Sequence, residues 1–107
     1  IAHWRGSFNG VKQMGSKDKT FLLSQSGHIA GIINPPAKDK YGHYTNDGPV
    51  AGDPEAWLKS ATFHKGSWWP RWAKWLAGHS GPMIPARKPA DSLAPAPGTY
   101  VVAKPQL

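Results

Sequence analysis

The amino-acid sequence predicts one small α/β unit, and three observations support that class. Apolar residues recur at helical spacing in three segments of the chain. One short apolar run is bounded by turn residues, as is typical of a buried strand. The 12 glycines and 11 prolines among 107 residues are nearly twice the average share of roughly 12%, so we expect long turns and loops between these elements.

The first predicted helix covers residues 4–14, and its apolar face points inward. Trp4, Phe8 and Val11 follow one another at spacings of four and three, which places them on one side of a helix. Gly15 ends the segment, because glycine is favoured just past the end of a helix. We expect this helix to bury that face against the rest of the fold.

A short buried strand is predicted over residues 20–23, and a loop that contains His28 follows its carboxyl end. Residues 29–33 are small and apolar. They stop at the Asn-Pro-Pro sequence of residues 34–36, because tandem prolines prevent both helix and central strand. Residues 37–52 are polar and rich in turn-forming side chains, so we expect a surface loop there.

The second helix is predicted to begin at Asp53. This residue is a favourable cap, Pro54 suits the first helical position, and Glu55 places negative charge in the first turn. The expected inward-facing residues are Trp57, Leu58 and Ala61.

The third helix is predicted over residues 68–77, with Ser67 as its cap, Pro70 in its first turn and Gly78 as its stop. Four large apolar residues form one broad face: Trp68, Trp72, Trp75 and Leu76. One interpretation is that this face packs on a larger body, because its positions follow the helical period. The other is a surface patch that stacks bases or inserts into a polymer or membrane surface. We favour packing, and expect the face to be exposed wherever that body is absent.

The last part of the chain differs in composition from the rest. Prolines recur through it, which predicts an extended tail rather than a packed domain. Residues 100–102 are expected to form a small strand that holds its end. We therefore divide the chain into a folded part, residues 1–81, and a Pro-rich tail, residues 82–107.

Composition excludes several classes of function. The longest apolar stretches are far shorter than the ~18 residues of a membrane span, and we expect no secretory leader. The absence of cysteine excludes disulfides, a thiolate metal site and a cysteine nucleophile among these residues. The chain begins at Ile1 rather than Met, so we expect it to be processed or cut from something longer.

The net charge of +7 permits nucleic acid or an anionic surface as a partner. The lysines and arginines are dispersed along the chain rather than grouped, which favours an ordinary solvated surface. We retain as an alternative a stand-alone basic, Trp-rich module that binds nucleic acid or an anionic surface.

His28 is the most informative single residue for chemistry. A histidine in the loop after a short buried strand is where α/β-hydrolases place their last catalytic residue, which moves a proton to and from the nucleophile. The alternative is an ordinary loop histidine that hydrogen-bonds to the backbone, and spacing alone favours that alternative. The remaining histidines lack the helical pairing of a zinc site, so we predict no metal and no cofactor. The chain also lacks a Gly-x-Ser-x-Gly sequence.

Residues 26–38 are SGHIAGIINPPAK, residues 64–70 are HKGSWWP and residues 94–101 are APAPGTYV. These three stretches, in this order, resemble the polyhydroxyalkanoate synthases, which are cytoplasmic enzymes that polymerise 3-hydroxyacyl-CoA into storage polyester. Residues 26–38 resemble the histidine motif of that family. Residues 64–70 and the tryptophans after them are similar to its tryptophan-rich segment. Residues 94–101 are similar to its usual carboxyl terminus.

The resemblance implies the carboxyl-terminal portion of an α/β-hydrolase-like domain: the last core strand, the catalytic histidine loop, the Trp-rich helices and the Pro-rich tail. The family uses a Cys–His–Asp set, in which His28 would be the catalytic histidine that takes the proton of an upstream cysteine. Ile1 is similar to the Ile of the family's Asp-His-Ile motif, which would put the aspartate just before it. His3-Trp4 replaces the family's Pro-Trp pair, a departure that concerns the local turn rather than His28.

The resemblance also implies a function, namely polymerisation of (R)-3-hydroxyacyl-CoA with release of CoA. The Ala30-Gly31 pair is similar to class I, the short-chain type, which implies 3-hydroxybutyryl-CoA as substrate. Expected partners are this substrate, the growing polyester chain, the rest of the catalytic domain and a second subunit of a homodimer, with neither nucleic acid nor a membrane span. The expected location is the cytoplasm, on polyester storage granules. Because the chain carries the histidine without the nucleophile or the acid, we expect it to be inactive by itself.

Overall fold

The computed structural model describes residues 3–89 and 94–106. In chain order the elements are helix α1 (Trp4–Lys12), strand β1 (Leu22–Ser24), a 3-10 turn (Pro36–Lys38), strand β2 (His43–Thr45), helix α2 (Pro54–Lys59), strand β3 (Thr62–His64), helix α3 (Trp69–His79) and a second 3-10 turn (Tyr100–Val102). Helices and strands both contribute, so the predicted α/β class is confirmed. The resemblance proposed for Ile1 lies outside the described residues.

The strands form one antiparallel sheet of three strands in the order β1-β2-β3. In its middle row Leu23 lies opposite Tyr44, and Tyr44 lies opposite Phe63. β1 confirms the strand predicted near residues 20–23, although it begins and ends slightly later in the chain. The loop that contains His28 therefore follows an edge strand of this sheet.

The central strand β2 corrects the prediction of a surface loop over residues 37–52. His43 and Thr45 are buried and Tyr44 is half-buried. The polar side chains that suggested a loop are paired across the sheet, since Thr45 Oγ1 lies 2.8 Å from His64 Nε2. Strands of three residues are too short to show an alternating pattern, which is also why β3 was not predicted.

The apolar core consists of four buried side chains: Phe8, Phe21, Val50 and Trp57. Phe21 meets both Phe8 and Trp57 edge to face, with ring centroids 5.2 Å apart in each pair, which is a favourable geometry for aromatic rings. Phe8 is completely buried, and Trp4 and Val11 pack against the cluster. The predicted inward face of α1 is therefore confirmed, although the helix ends two residues before its predicted limit.

The start of α2 confirms the predicted cap. The carboxylate of Asp53 accepts a hydrogen bond from the backbone N–H of Ala56 at 3.0 Å, and Pro54 occupies the first helical position. Arg5 of α1 forms an ion pair with Glu55 in the first turn, which links the two helices. The three residues predicted to face inward do contribute to the core: Trp57, Leu58 and Ala61.

Helix α3 differs from its prediction at both ends. It begins at Trp69, with Trp68 in the cap position, while Ser67 Oγ accepts a hydrogen bond from the Trp69 N–H at 3.1 Å. It then continues through Gly78 to His79. Glycine inside a helix costs only about 1 kcal/mol relative to alanine, and two side chains bond to carbonyls of the last turn. Those bonds support the residues beyond the predicted stop.

The tail has little regular structure where it is described. Residues 81–89 form neither helix nor strand, and residues 100–102 form a 3-10 turn instead of the predicted strand. That turn is closed within itself, by a bond from the Val102 N–H to the Thr99 carbonyl at 3.2 Å. A 3-10 turn also begins at Pro36, where tandem prolines were expected to prevent any helix, because proline in the first position loses no hydrogen bond. The division of the chain after residue 81 stays a prediction.

Phe8→Ala is expected to lower the free energy of unfolding by about 3–5 kcal/mol, because it empties the centre of the aromatic core. Urea denaturation followed by tryptophan fluorescence measures the change. Met14→Ala is the control, since its side chain is 60% exposed. Equal effects of the two substitutions would contradict the core described above.

Candidate functional site

His28 lies in a hydrogen-bonded turn that follows β1. The Gly31 N–H donates to the Gly27 carbonyl at 2.8 Å, and the Ile33 N–H donates to the Ile29 carbonyl at 2.8 Å. We call residues 27–33 the histidine turn. The His28 side chain is exposed to solvent at the beginning of this turn. An isolated turn closed by a few backbone bonds is not stable by itself in water, so other parts of the chain must hold it.

Three side-chain donors hold the carboxyl-terminal end of the histidine turn. Ser24 Oγ donates to the Gly31 carbonyl oxygen at 2.7 Å, and Trp68 Nε1 donates to the same oxygen at 3.0 Å. Trp69 Nε1 donates to the Ile32 carbonyl oxygen at 2.9 Å. The last carbonyls of a helical turn have no partner inside the turn, and these donors supply one. The turn is thereby joined to β1 and to the beginning of α3.

Position 31 requires a glycine because the backbone carbonyls of Gln25 and Gly27 lie very close to it. A Cβ atom at this position would lie 2.7 Å from the Gln25 carbonyl oxygen, 2.9 Å from the Gly27 carbonyl oxygen and 3.1 Å from Ser24 Oγ. Two of these atoms belong to the backbone and have no freedom to move aside. Any side chain at Gly31 would therefore displace the turn from β1.

The two ends of the histidine turn are also bonded to the segment that leads into β2. The backbone N–H of Gln25 donates to the Gly42 carbonyl and its side-chain Oε1 accepts from the Gly42 N–H, both at 2.9 Å. Beyond the turn, buried Asn34 donates from Nδ2 to the Tyr41 carbonyl at 2.9 Å. A hydrogen bond with Ser26 lowers the pKa of the Tyr41 hydroxyl, and Lys40 acts in the same direction. The loop around His28 is thus bonded on both sides.

A second histidine group, the His43–His64 pair, lies between β2 and β3. The two residues are cross-strand neighbours, and their rings stack with centroids 5.1 Å apart. His43 Nδ1 donates to the Gly66 carbonyl at 3.0 Å. Burial lowers the pKa of His43; its bond to Gly66 opposes this, and the charges of His64 and Arg71 add to the lowering. The net result is a lowered pKa, so protonation of His43 is less favourable inside the sheet than in water.

The remaining histidines have local contacts. His3 Nδ1 accepts from the Arg5 N–H at 3.3 Å at the start of α1, and the ring of His79 stacks on Trp75 at 4.2 Å. Within residues 3–89 and 94–106, no three side chains of the metal-ligating types lie together. Sequence spacing missed the His43–His64 pair, because pairing between strands leaves no i, i+3 or i, i+4 signal.

The apolar face of α3 lines an open groove of about 710 Å³ opposite β1. Trp72 and Trp75 stack with centroids 5.1 Å apart, yet 46% and 48% of their surfaces are exposed. The helix has no buried residue against the described part of the chain. The face predicted to pack on a larger body is therefore uncovered in this chain, and Arg71 lies beside it in the groove. His28 is not among the residues that line the groove.

Comparison with known proteins gives relatives of one kind, although no family model matches the chain. It is 44% identical over 111 residues to the poly(3-hydroxyalkanoate) polymerase subunit PhaC of Cupriavidus necator, covering 97% of the chain and 18% of that protein. It is 50% identical over 99 residues to the poly(3-hydroxyalkanoate) polymerase of Methylorubrum extorquens, covering 88% of the chain and 16% of that protein. It is 42% identical over 106 residues to the PhaC subunit of Rhizobium etli. The chain thus spans less than a fifth of these relatives and matches their carboxyl-terminal part.

Gly31→Ala is expected to lower the free energy of unfolding by about 1–3 kcal/mol, because the added methyl group forces the backbone apart. Urea denaturation measures the loss. Gly27→Ala in the same turn is the matched control, since a Cβ there meets no atom within 4 Å. If Gly27→Ala is as destabilising as Gly31→Ala, the close approach at Gly31 is not the cause.

The chain is expected to be less stable at pH 5.5 than at pH 7.5. The pKa of His43 is lower in the folded chain than its ordinary value of 6.5, so the unfolded chain takes up the extra proton first. The free energy of unfolding therefore falls as the pH drops through about 6.5. Urea denaturation at each pH measures this effect. His43→Gln should reduce the pH dependence and His28→Gln, at an exposed position, should retain it; the opposite pattern would contradict the role of the His43–His64 pair.

Proposed function

The chain belongs to the poly(3-hydroxyalkanoate) polymerase family, whose carboxyl-terminal part it matches, and on this premise we propose that it supplies the catalytic histidine of such a polymerase. The observation that carries the proposal is the position of His28 at the beginning of a held turn, directly after β1. α/β-Hydrolases place their catalytic histidine in a loop after a strand in this way. The exposed ring of His28 is accessible to a nucleophile that approaches from another part of the protein.

In this proposal His28 acts as a general base. It takes the proton from a cysteine thiol elsewhere in the polymerase, since the chain itself contains no cysteine. The thiolate attacks the thioester carbonyl carbon of a (R)-3-hydroxyacyl-CoA, the bond from that carbon to the CoA sulfur breaks, and the CoA thiolate takes the proton back from His28. The hydroxyl oxygen of the next acyl-CoA then attacks the carbonyl carbon of the cysteine-bound thioester, with the aspartate assisting removal of the hydroxyl proton. The bond from that carbon to the cysteine sulfur breaks, and the released cysteine thiolate regains a proton. Each such transfer lengthens the polyester by one ester bond.

Two surfaces of the chain are suited to the rest of the catalytic domain. The outer edge of β1 pairs with no other strand in the described part of the chain, and unpaired edges are sites where a sheet can continue. The apolar face of α3 is half-exposed, and an uncovered patch of this kind marks an interaction surface. We propose that the missing domain continues the sheet at β1 and covers α3, which would complete an α/β-hydrolase-like domain.

The location and assembly of the enzyme follow from the same proposal. No helix of the described residues is long and apolar enough to cross a membrane. We propose that the polymerase acts in the cytoplasm as a homodimer on the surface of polyester granules, and that its substrate is the short-chain 3-hydroxybutyryl-CoA. The Ala30-Gly31 pair after the histidine supports the short-chain substrate.

The proposal is tested in a chimera in which this chain replaces the matching carboxyl-terminal part of the Cupriavidus necator polymerase. His28→Gln is expected to lower kcat by about 10²–10⁴-fold, because it removes the general base. Release of CoA from 3-hydroxybutyryl-CoA measures kcat. Lys59→Gln, at an exposed position with no described contact to the histidine turn or to α3, serves as the control and should leave kcat close to that of the parent chimera.

Two results would contradict the proposal. Near-normal turnover by the His28→Gln chimera would mean that His28 is an ordinary loop residue with no catalytic role. Release of CoA by the 107-residue chain alone would show that no cysteine from elsewhere is needed.

A further inference from the structure

We propose that Trp68 and Trp69 are positioning residues for His28, acting through hydrogen bonds from their indole N–H groups to the histidine turn. The inference rests on the proposed catalytic role of His28 and deepens it. This positioning role differs from the two roles predicted for the face of α3, which were packing on a larger body and binding a surface.

The geometry of the two hydrogen bonds carries the inference. Trp68 Nε1 lies 3.0 Å from the Gly31 carbonyl oxygen, and Trp69 Nε1 lies 2.9 Å from the Ile32 carbonyl oxygen. Both distances are in the usual range for N–H···O bonds. Two adjacent indoles thus bind two adjacent carbonyls that lie 37 residues earlier in the chain.

The acceptors are the carbonyls whose position decides how His28 is held. They lie at the carboxyl-terminal end of the turn, where no described backbone N–H donates to them. Without the indoles, the described contacts to these two carbonyls would be reduced to the one bond from Ser24 Oγ to Gly31. The Ile32 carbonyl would then have no described donor, and the turn would lose its connection to the start of α3.

The other tryptophans of the segment make contacts of a different kind. Trp72 and Trp75 stack on each other, and Trp75 stacks on His79. None of their described contacts is a hydrogen bond to the histidine turn. The segment therefore has two parts: Trp68 and Trp69 bind the turn, while the later rings form the exposed face.

The turn matters for catalysis because it determines the direction in which the His28 ring projects. The Cα atom of His28 belongs to the turn, so a movement of the turn moves the imidazole by a similar distance. A displacement of ~1 Å at a catalytic group can lower the rate by ~10²-fold. Loss of the indole donors should therefore lower kcat, while binding of acyl-CoA by other parts of the polymerase stays unchanged.

The experiment uses the same chimera with Trp68→Phe, Trp69→Phe and the double substitution. Phenylalanine keeps an aromatic ring and removes the N–H group. We expect the double variant to lower kcat by about 10–100-fold, with KM close to that of the parent. Trp57→Phe is the matched control, because its buried Nε1 has no hydrogen-bond partner and the substitution removes an indole N–H without removing a bond.

Hydrogen exchange over residues 27–33, measured by mass spectrometry in the same proteins, gives a second readout. We expect faster exchange in the double variant and unchanged exchange in Trp57→Phe. Ser24→Ala adds a test of the shared acceptor, because Ser24 and Trp68 bind the same Gly31 oxygen. Trp68→Phe should lower kcat more in the Ser24→Ala background than in the parent.

The outcomes separate this inference from the proposed function. If the double variant keeps its kcat while His28→Gln is inactive, the positioning role is wrong and the catalytic role of His28 stands. If His28→Gln is active, the proposed function itself fails. If Trp57→Phe lowers kcat as much as the double variant, the loss reflects general destabilisation and the positioning role is again wrong.

Discussion

Three parts of the chain meet at the carbonyl oxygen of Gly31. The hydroxyl of Ser24 reaches it from β1 and the indole of Trp68 reaches it from the start of α3, while the oxygen itself belongs to the histidine turn. A carbonyl oxygen has two lone pairs and can accept both bonds. Because Gly31 has no side chain, the backbone approaches closely enough for this arrangement to form. The location of His28 and the direction of α3 both depend on this contact.

The chain uses apolar packing in one region and polar pairing in another. Aromatic rings meet edge to face in the core that joins α1, α2 and the residue before β1. Around the histidine turn and across β2 and β3, hydrogen bonds and the stacked imidazoles of His43 and His64 join the segments. Such polar contacts stabilise less than buried apolar area. Hydrogen bonds also depend on direction, so the contacts around the histidine turn are sensitive to small shifts of the backbone.

The exposure of the apolar face of α3 reflects the same separation of apolar packing from polar pairing. The start of the helix is held by two indole hydrogen bonds, whereas its later tryptophans stack on each other and stay about half-exposed in the described part of the chain. A stripe of half-exposed rings beside the open edge of β1 is typical of a surface that another body covers. The chain corresponds to less than a fifth of the length of its curated relatives. The rest of such a protein is large enough to cover this face.

The sequence by itself determined the features that depend on neighbouring residues. Asp53 and Pro54 determine where α2 begins, the spacing of Trp4 and Phe8 determines the inward face of α1, and the motif around His28 identifies the relatives of the chain. Only the tertiary structure decided the central strand, the stacking of His43 on His64 and the hydrogen bonds of Trp68 and Trp69. These contacts join residues 17 to 37 positions apart, and no local pattern records such pairs. A polar segment such as β2 becomes a strand because the adjacent strands supply its hydrogen-bond partners. The strand propensity of the segment's own residues does not include those partners.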